Sequence, residues 1–240
     1  MTVPTIIRRS LLAGTQGVSG PTVVIDTFRA FTTAAFLLNR SVDRIVLTET
    51  LDEARRRSRS IPDSILCGEE GGRRPDDFDL GNSPIDVEAY GESEGGVVVM
   101  RTSSGTRSVV SALRSGADPV YAASLVVAGA TVSALRGELR VTIVASGLGG
   151  VTPADEDEET ADLVASRLLE RADDPGRVGR IRDGAGAERL RTTRWIDPED
   201  LARCLDVDRF DFAMRAKLED EVAVLRREES PRSPVPGRQP

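Results

Sequence analysis

The 240-residue chain contains no histidine. That absence excludes Ser-His-Asp and Cys-His catalysis, imidazole acid–base chemistry and histidine-ligated zinc. Lys217 is the only lysine, which leaves almost no candidate for Schiff-base chemistry. Two cysteines, Cys67 and Cys204, cannot build a disulfide framework and are expected as buried thiols in a reducing cytosol. Aromatic residues make up only 4% of the chain, so the core must lean on Val, Leu, Ile and Ala. No run approaches the roughly 18 apolar residues that a spanning helix needs. The opening MTVPTIIRRSLL lacks the apolar centre of a signal peptide. A net charge of −7 argues against a nucleic-acid partner, and the lack of a basic amphipathic helix argues against a membrane surface. A cytoplasmic protein is expected.

Several short β-branched runs stand out: 22–26, 44–47, 64–67, 97–100, 119–122 and 141–145. Continuous apolar runs of this length, bounded by Gly, Pro and polar turns, read as strands buried on both faces. Helix-length segments lie between them, over 32–39, 51–60 behind a Thr50 cap, 104–115, 124–135 and 157–172. The alternation predicts an α/β protein with mixed, largely parallel sheets flanked by helices. Residues 1–229 are expected as one α/β unit, with a division into subdomains possible near 130–150. Residues 173–188 suit a linker, a loop or a capped helix. Trp195–Leu205 reads as a capped helix, 215–229 as a charged helix, and 230–240 as a disordered tail. The very apolar 124–135 segment raises the expectation of a homodimer, although core packing would use it equally well.

Polar motifs follow four of the predicted strands. Asp26 ends the first, with Arg29 three residues on; a carboxylate there can ligate Mg²⁺ or act as a nucleophile, and a guanidinium can fork onto phosphate. Gly68-Glu69-Glu70-Gly71-Gly72 leads to Phe78-Asp79-Leu80-Gly81-Asn82-Ser83-Pro84, where glycine amides can approach an anion. Arg101-Thr102-Ser103-Ser104-Gly105-Thr106 joins a strand to a helix N-terminus, a general anion site, but has no Walker lysine. Ala145-Ser146-Gly147-Leu148-Gly149-Gly150 lacks the dinucleotide spacing and precedes the acidic run 155–159. Each motif also has an ordinary structural use, as a cap, a turn or a solvated helix start. Together they lay out an anionic-substrate, Mg²⁺-type site.

VVIDTFRAFTTAA (23–35), GEEGG (68–72), FDLGNSP (78–84), VVMRTSSGT (98–106), AASLVVAGAT (122–131), EDEETAD (156–162) and DVDRFDFA (206–213) resemble the 2-phosphosulfolactate phosphatase family, the ComB-like proteins. The resemblance implies a ComB-like α/β fold and a Mg²⁺-dependent phosphohydrolase acting on 2-phospho-3-sulfolactate, a step toward coenzyme M. Phe31, Glu70 and Ser103-Ser104 depart from the residues common in the family.

The expectation is therefore a magnesium phosphatase for a small anionic phosphoester, the alternative being a non-catalytic member that binds an acidic metabolite. Asp26, Arg29 and Glu69 are the expected catalytic residues. Asn82, Ser83, Arg101, Ser103, Ser104, Gly105 and Thr106 are expected to bind substrate or phosphate. Asp26, Asp79, Glu156 and Asp157 are expected to hold the metal, and Arg73 and Arg101 to meet a sulfonate and carboxylate.

Overall fold

The computed structural model describes residues 3–91 and 96–229. The expected disordered tail, 230–240, lies outside the described residues. The chain opens with β1 (Thr5–Ser10), a 3-10 turn, β2 (Thr22–Ile25), α1 (Ala30–Asn39), β3 (Arg44–Thr48), α2 (Leu51–Ser60), β4 (Ile65–Gly68) and α3 (Pro84–Ala89). It continues through β5 (Val97–Arg101), α4 (Gly105–Arg114), β6 (Val120–Ala123), a second 3-10 turn, α5 (Ala128–Ala134), β7 (Arg140–Ala145) and α6 (Asp155–Leu168). Three short helices follow, α7 (Arg177–Asp183), α8 (Ala185–Thr192) and α9 (Asp200–Cys204), and then β8 (Phe212–Glu219) and β9 (Val222–Glu229).

Among the described residues the nine strands form one sheet in the order β1-β7-β2-β6-β8-β9-β3-β5-β4. β1, β7, β2 and β6 run parallel, as do β3, β5 and β4, and the antiparallel hairpin β8–β9 stitches the two blocks together. The α/β class and the six β-branched strands are as the sequence predicts. β7, inside the region where a subdomain division was considered, pairs with both β1 and β2.

Residues 215–229 are not a helix. Over 215–219 charges alternate with apolar residues, and the backbone turns at Asp220 and Glu221, both at positive φ, as a two-residue hairpin requires. Met214 and Ala216 are thereby buried while Lys217 is exposed. The predicted 195–205 helix shrinks to Asp200–Cys204, and 173–188 holds α7 and the start of α8.

Local chemistry explains several boundaries. The Thr50 hydroxyl accepts the Glu53 N–H (3.1 Å) to start α2, acids open that helix and arginines close it, which suits its dipole. α4 packs against β2, β6, β8, β9, β3 and β5, six consecutive strands. Laid flat they would span about 24 Å at the usual strand spacing, twice a helix diameter, so the sheet curls around α4. That curl brings the ends of β2 and β5 together although five positions separate them in the sheet. Leu125, Val126 and Val127 are fully buried and α5 packs on α6 and β8, so the apolar 124–135 segment serves the core of this chain.

Candidate active site

The loops after β2, β4, β5 and β7, with α6 and the α8–α9 region, enclose a cleft of about 540 Å³. Asp26, Arg29, Glu69, Asn82, Ser103, Ser104, Glu156 and Asp157 all line it. Residues up to 131 positions apart in sequence thus meet at one place, as the strand-end motifs implied.

Asp26 leaves β2 and is buried, with one carboxylate oxygen accepting the Ala30 N–H (3.1 Å). Gly105, first residue of α4, sits against the same carboxylate; a Cβ there would fall 2.7 Å from Asp26 Oδ2. Glycine is what lets the helix N-terminus come this close. Burial raises the Asp26 pKa to about 7, with the Ala30 and Gly105 amides opposing and Glu69 and Glu156 adding repulsion. Asp157 is pushed up to about 8 by burial and by Asp26, and Glu156 to about 9 by burial and by Asp155 and Asp157. Glu156 Oε2 is buried with no hydrogen-bond partner among the described residues. Gly186 at the start of α8 packs directly on this carboxylate, with no room for a side chain.

Two of the expected chemical groups have mechanical work. Glu69 accepts Ser103 N–H (2.5 Å), Gly72 N–H (2.6 Å) and the Ser103 hydroxyl (3.0 Å), which ties the β4 and β5 exit loops into one wall. Asp157 accepts Thr27 N–H (2.7 Å) and Gly147 N–H (2.9 Å), fastening the β2 and β7 exits to α6. Arg29 is buried; it donates to Asp200 (2.6 Å) and to the Gly72 carbonyl (3.3 Å). Asp200 in turn accepts the Ser83 hydroxyl (2.7 Å), and its pKa is raised by burial against the opposing pull of Arg29 and Ser83.

Five expected site residues and Arg73 do not line the cleft. Asp79 accepts the Leu66 N–H (2.8 Å) because residues 78–80 run alongside β4, which keeps it out of the cleft. Ser83 caps α3 and bonds Asp200. Arg101 donates to the Glu69 carbonyl (2.6 Å) behind the wall. Gly105 shapes the floor under Asp26, and Thr106 is buried, donating to the Thr48 carbonyl (2.9 Å). Arg73 lies in a separate shallow depression with Arg55, Arg74 and Asp77.

Sequence reasoning missed Arg189, Trp195, Leu148, Val151 and Asp200. Arg189 lies 3.5 Å from Glu156, and with Arg29 it is one of two cations lining the cleft among the described residues. Trp195 and Asp200 fall in the 195–205 segment that the sequence marks only as a capped helix.

All the carboxylates offer hard oxygen donors, which suit Mg²⁺ or Ca²⁺ and not a soft metal. Among the described residues no three His, Cys, Asp or Glu side chains already stand together at ligating distance. Mg²⁺ needs fewer, because it commonly takes one or two carboxylates with water and substrate phosphate. Asp26 and Glu156, whose Oε2 has no hydrogen-bond partner among the described residues, are the candidates for that role. Among the described residues no helix is long and apolar enough to cross a membrane.

The family model described as 2-phosphosulpholactate phosphatase matches residues 10–218. A probable 2-phosphosulfolactate phosphatase of Deinococcus radiodurans is 35% identical over 71% of this chain and 74% of its own length. One from Pseudothermotoga lettingae is 34% identical over 66% of each chain. One from Thermus thermophilus is 38% identical over 61% of this chain and 60% of its own.

Proposed function

The chain belongs to the 2-phosphosulfolactate phosphatase family, and from that premise we propose that it is a phosphoric monoester hydrolase, with 2-phospho-3-sulfolactate as the first ester to test. The observation that carries this reading is the cleft itself: carboxylates, a buried arginine and a helix N-terminus from distant parts of the chain share one cavity.

Phosphoryl transfer needs charge neutralised on the phosphoryl oxygens and a positioned attacking group. Arg29, held in place by Asp200, and the Ser103-Ser104 loop at the start of α4 would receive those oxygens. Glu69 and Asp157 hold the loops that form this receptor. Asp26 and Glu156 would hold Mg²⁺, which supplies charge neutralisation at the transferring group when bound. Without histidine, protons move through carboxylic acids, hydroxyls or water. Both cysteines are free and buried, and burial pushes their thiols up, which supports a reducing cytoplasmic setting.

The test is phosphate release from 2-phospho-3-sulfolactate with Mg²⁺, and again after EDTA. Asp26→Asn is expected to lower kcat/KM by about a hundredfold or more while circular dichroism is unchanged. Undiminished release by Asp26→Asn would remove this cleft as the site.

A further inference from the structure

We propose that this cleft is shaped for a phosphate monoester whose alcohol carries an apolar arm about one ring in size, lying against Leu148, Val151 and Trp195. The proposal takes the position of the phosphoryl end from the phosphatase reading and adds the identity of the group beyond it.

The first observation is size. Clefts of about 300–1,000 Å³ hold drug-sized ligands, so a three-carbon ester leaves much of a 540 Å³ cleft unfilled. The second is the character of the mouth. Seven large apolar side chains are exposed among the described residues, and three of them, Leu148, Val151 and Trp195, gather here. They come from two separate segments. Leu148 and Val151 project from a turn closed by the Leu148 N–H on the Thr152 carbonyl (2.8 Å), and Trp195 stands in the connection between α8 and α9. Trp195 leans toward Gly72, where an added Cβ would lie 3.9 Å from the indole nitrogen, so the ring adjoins the loop that Arg29 braces. A cluster of exposed apolar groups at the rim of a polar cavity marks a contact surface for a ligand.

The third observation is charge. A sulfonate and a carboxylate would each need a cationic partner beyond those serving the phosphate. Among the described residues two guanidiniums line the cleft, and both are engaged, Arg29 by Asp200 and Arg189 by Glu156. Arg101 and Arg73, the cations expected to meet the extra anionic groups, face elsewhere. No cation among those lining residues is left to meet a charged group beyond the phosphate, and the exposed side chains at the mouth are apolar.

Trp195 is the only tryptophan, so its emission reports directly on this wall. The experiment titrates the full chain with benzylphosphonate, methylphosphonate and 2-phospho-3-sulfolactate, following that emission and the heat of binding. Benzylphosphonate is expected to bind at least about tenfold more tightly than methylphosphonate and to shift the emission to the blue. Val151→Ser keeps the fluorophore and alters a side chain that is 75% exposed, so the core stays intact. It should narrow the difference between the two phosphonates about threefold. Equal affinities, an unmoved emission, or tightest binding of 2-phospho-3-sulfolactate would each overturn the proposal. Phosphate release from benzyl phosphate separates the two levels. Preferential benzylphosphonate binding without hydrolysis of any ester supports the apolar subsite and refutes the phosphatase reading. Hydrolysis of 2-phospho-3-sulfolactate without a benzyl preference does the reverse.

Discussion

The five consecutive acids that open α6 meet opposite fates on the two faces of one helix. Glu156 and Asp157 turn inward to the cleft, where burial and mutual repulsion raise their pKa values. Glu158 and Glu159 turn outward. Arg8 donates to Glu158 (2.6 Å), and Arg177 and Arg180 donate to Glu159 (2.9 and 2.5 Å). The Arg180 hydrogen bond holds Glu159 below the usual carboxylate range. The outward acids are satisfied by partners from this chain. Of the inward ones, Asp157 accepts two backbone N–H groups, while Glu156 has Arg189 at 3.5 Å and a buried Oε2 with no hydrogen-bond partner among the described residues, which marks it as a group kept for a ligand.

The largest way to break the contrast is to leave a buried cation without its acid. Asp200→Ala strands Arg29 and should cost about 3–5 kcal/mol in urea unfolding. Gly105→Ala comes next. Its methyl would displace Asp26, costing about 1–3 kcal/mol and, through the misplaced carboxylate, phosphate release as well. Ser104→Ala, which removes a hydroxyl donating to the Gly147 carbonyl (2.7 Å), should cost about 1 kcal/mol.

The pH dependence sharpens the comparison. Asp26, Asp157 and Glu156 have folded values of about 7, 8 and 9 against ordinary values of 3.8, 3.8 and 4.5. The folded state keeps their protons to higher pH than the unfolded state does, so stability present in acid is lost as pH rises through about 5 to 9. Thermal melts without metal should therefore show Tm falling across that window, and Mg²⁺ should raise Tm more at its alkaline end. Glu159 has the opposite sign, since its contribution is present above 4.5 and lost on acidification. Its removal gives the smallest effect: Glu159→Gln should cost no more than about 1 kcal/mol, and less in high salt.

Much of this was legible in the sequence. The strands buried on both faces announce themselves as β-branched runs, and Asp26, Arg29 and Ser103-Ser104 stand out because polar residues follow those runs directly. The β8–β9 hairpin was not legible, because residues 226–229 of β9 run past β3 and carry charges on both sides. Asp200 and Trp195 were hidden because only the folding back of α8 and α9 brings Trp195 to the cleft and Asp200 to Arg29. Nor could spacing show that Glu69 and Asp157 brace backbone amides, since that depends on which N–H groups the curled sheet presents to them.

The central claim is that the cleft carboxylates Asp26 and Glu156 are kept for chemistry at some expense of stability. The most direct measurement pairs thermal unfolding in EDTA at about pH 8.5 with phosphate release in Mg²⁺, for Asp26→Asn and Glu156→Gln. Each variant should melt higher than the parent, by on the order of 1 kcal/mol of added stability, while phosphate release falls about a hundredfold or more. Variants that melt lower and still release phosphate at the parent rate would contradict the account.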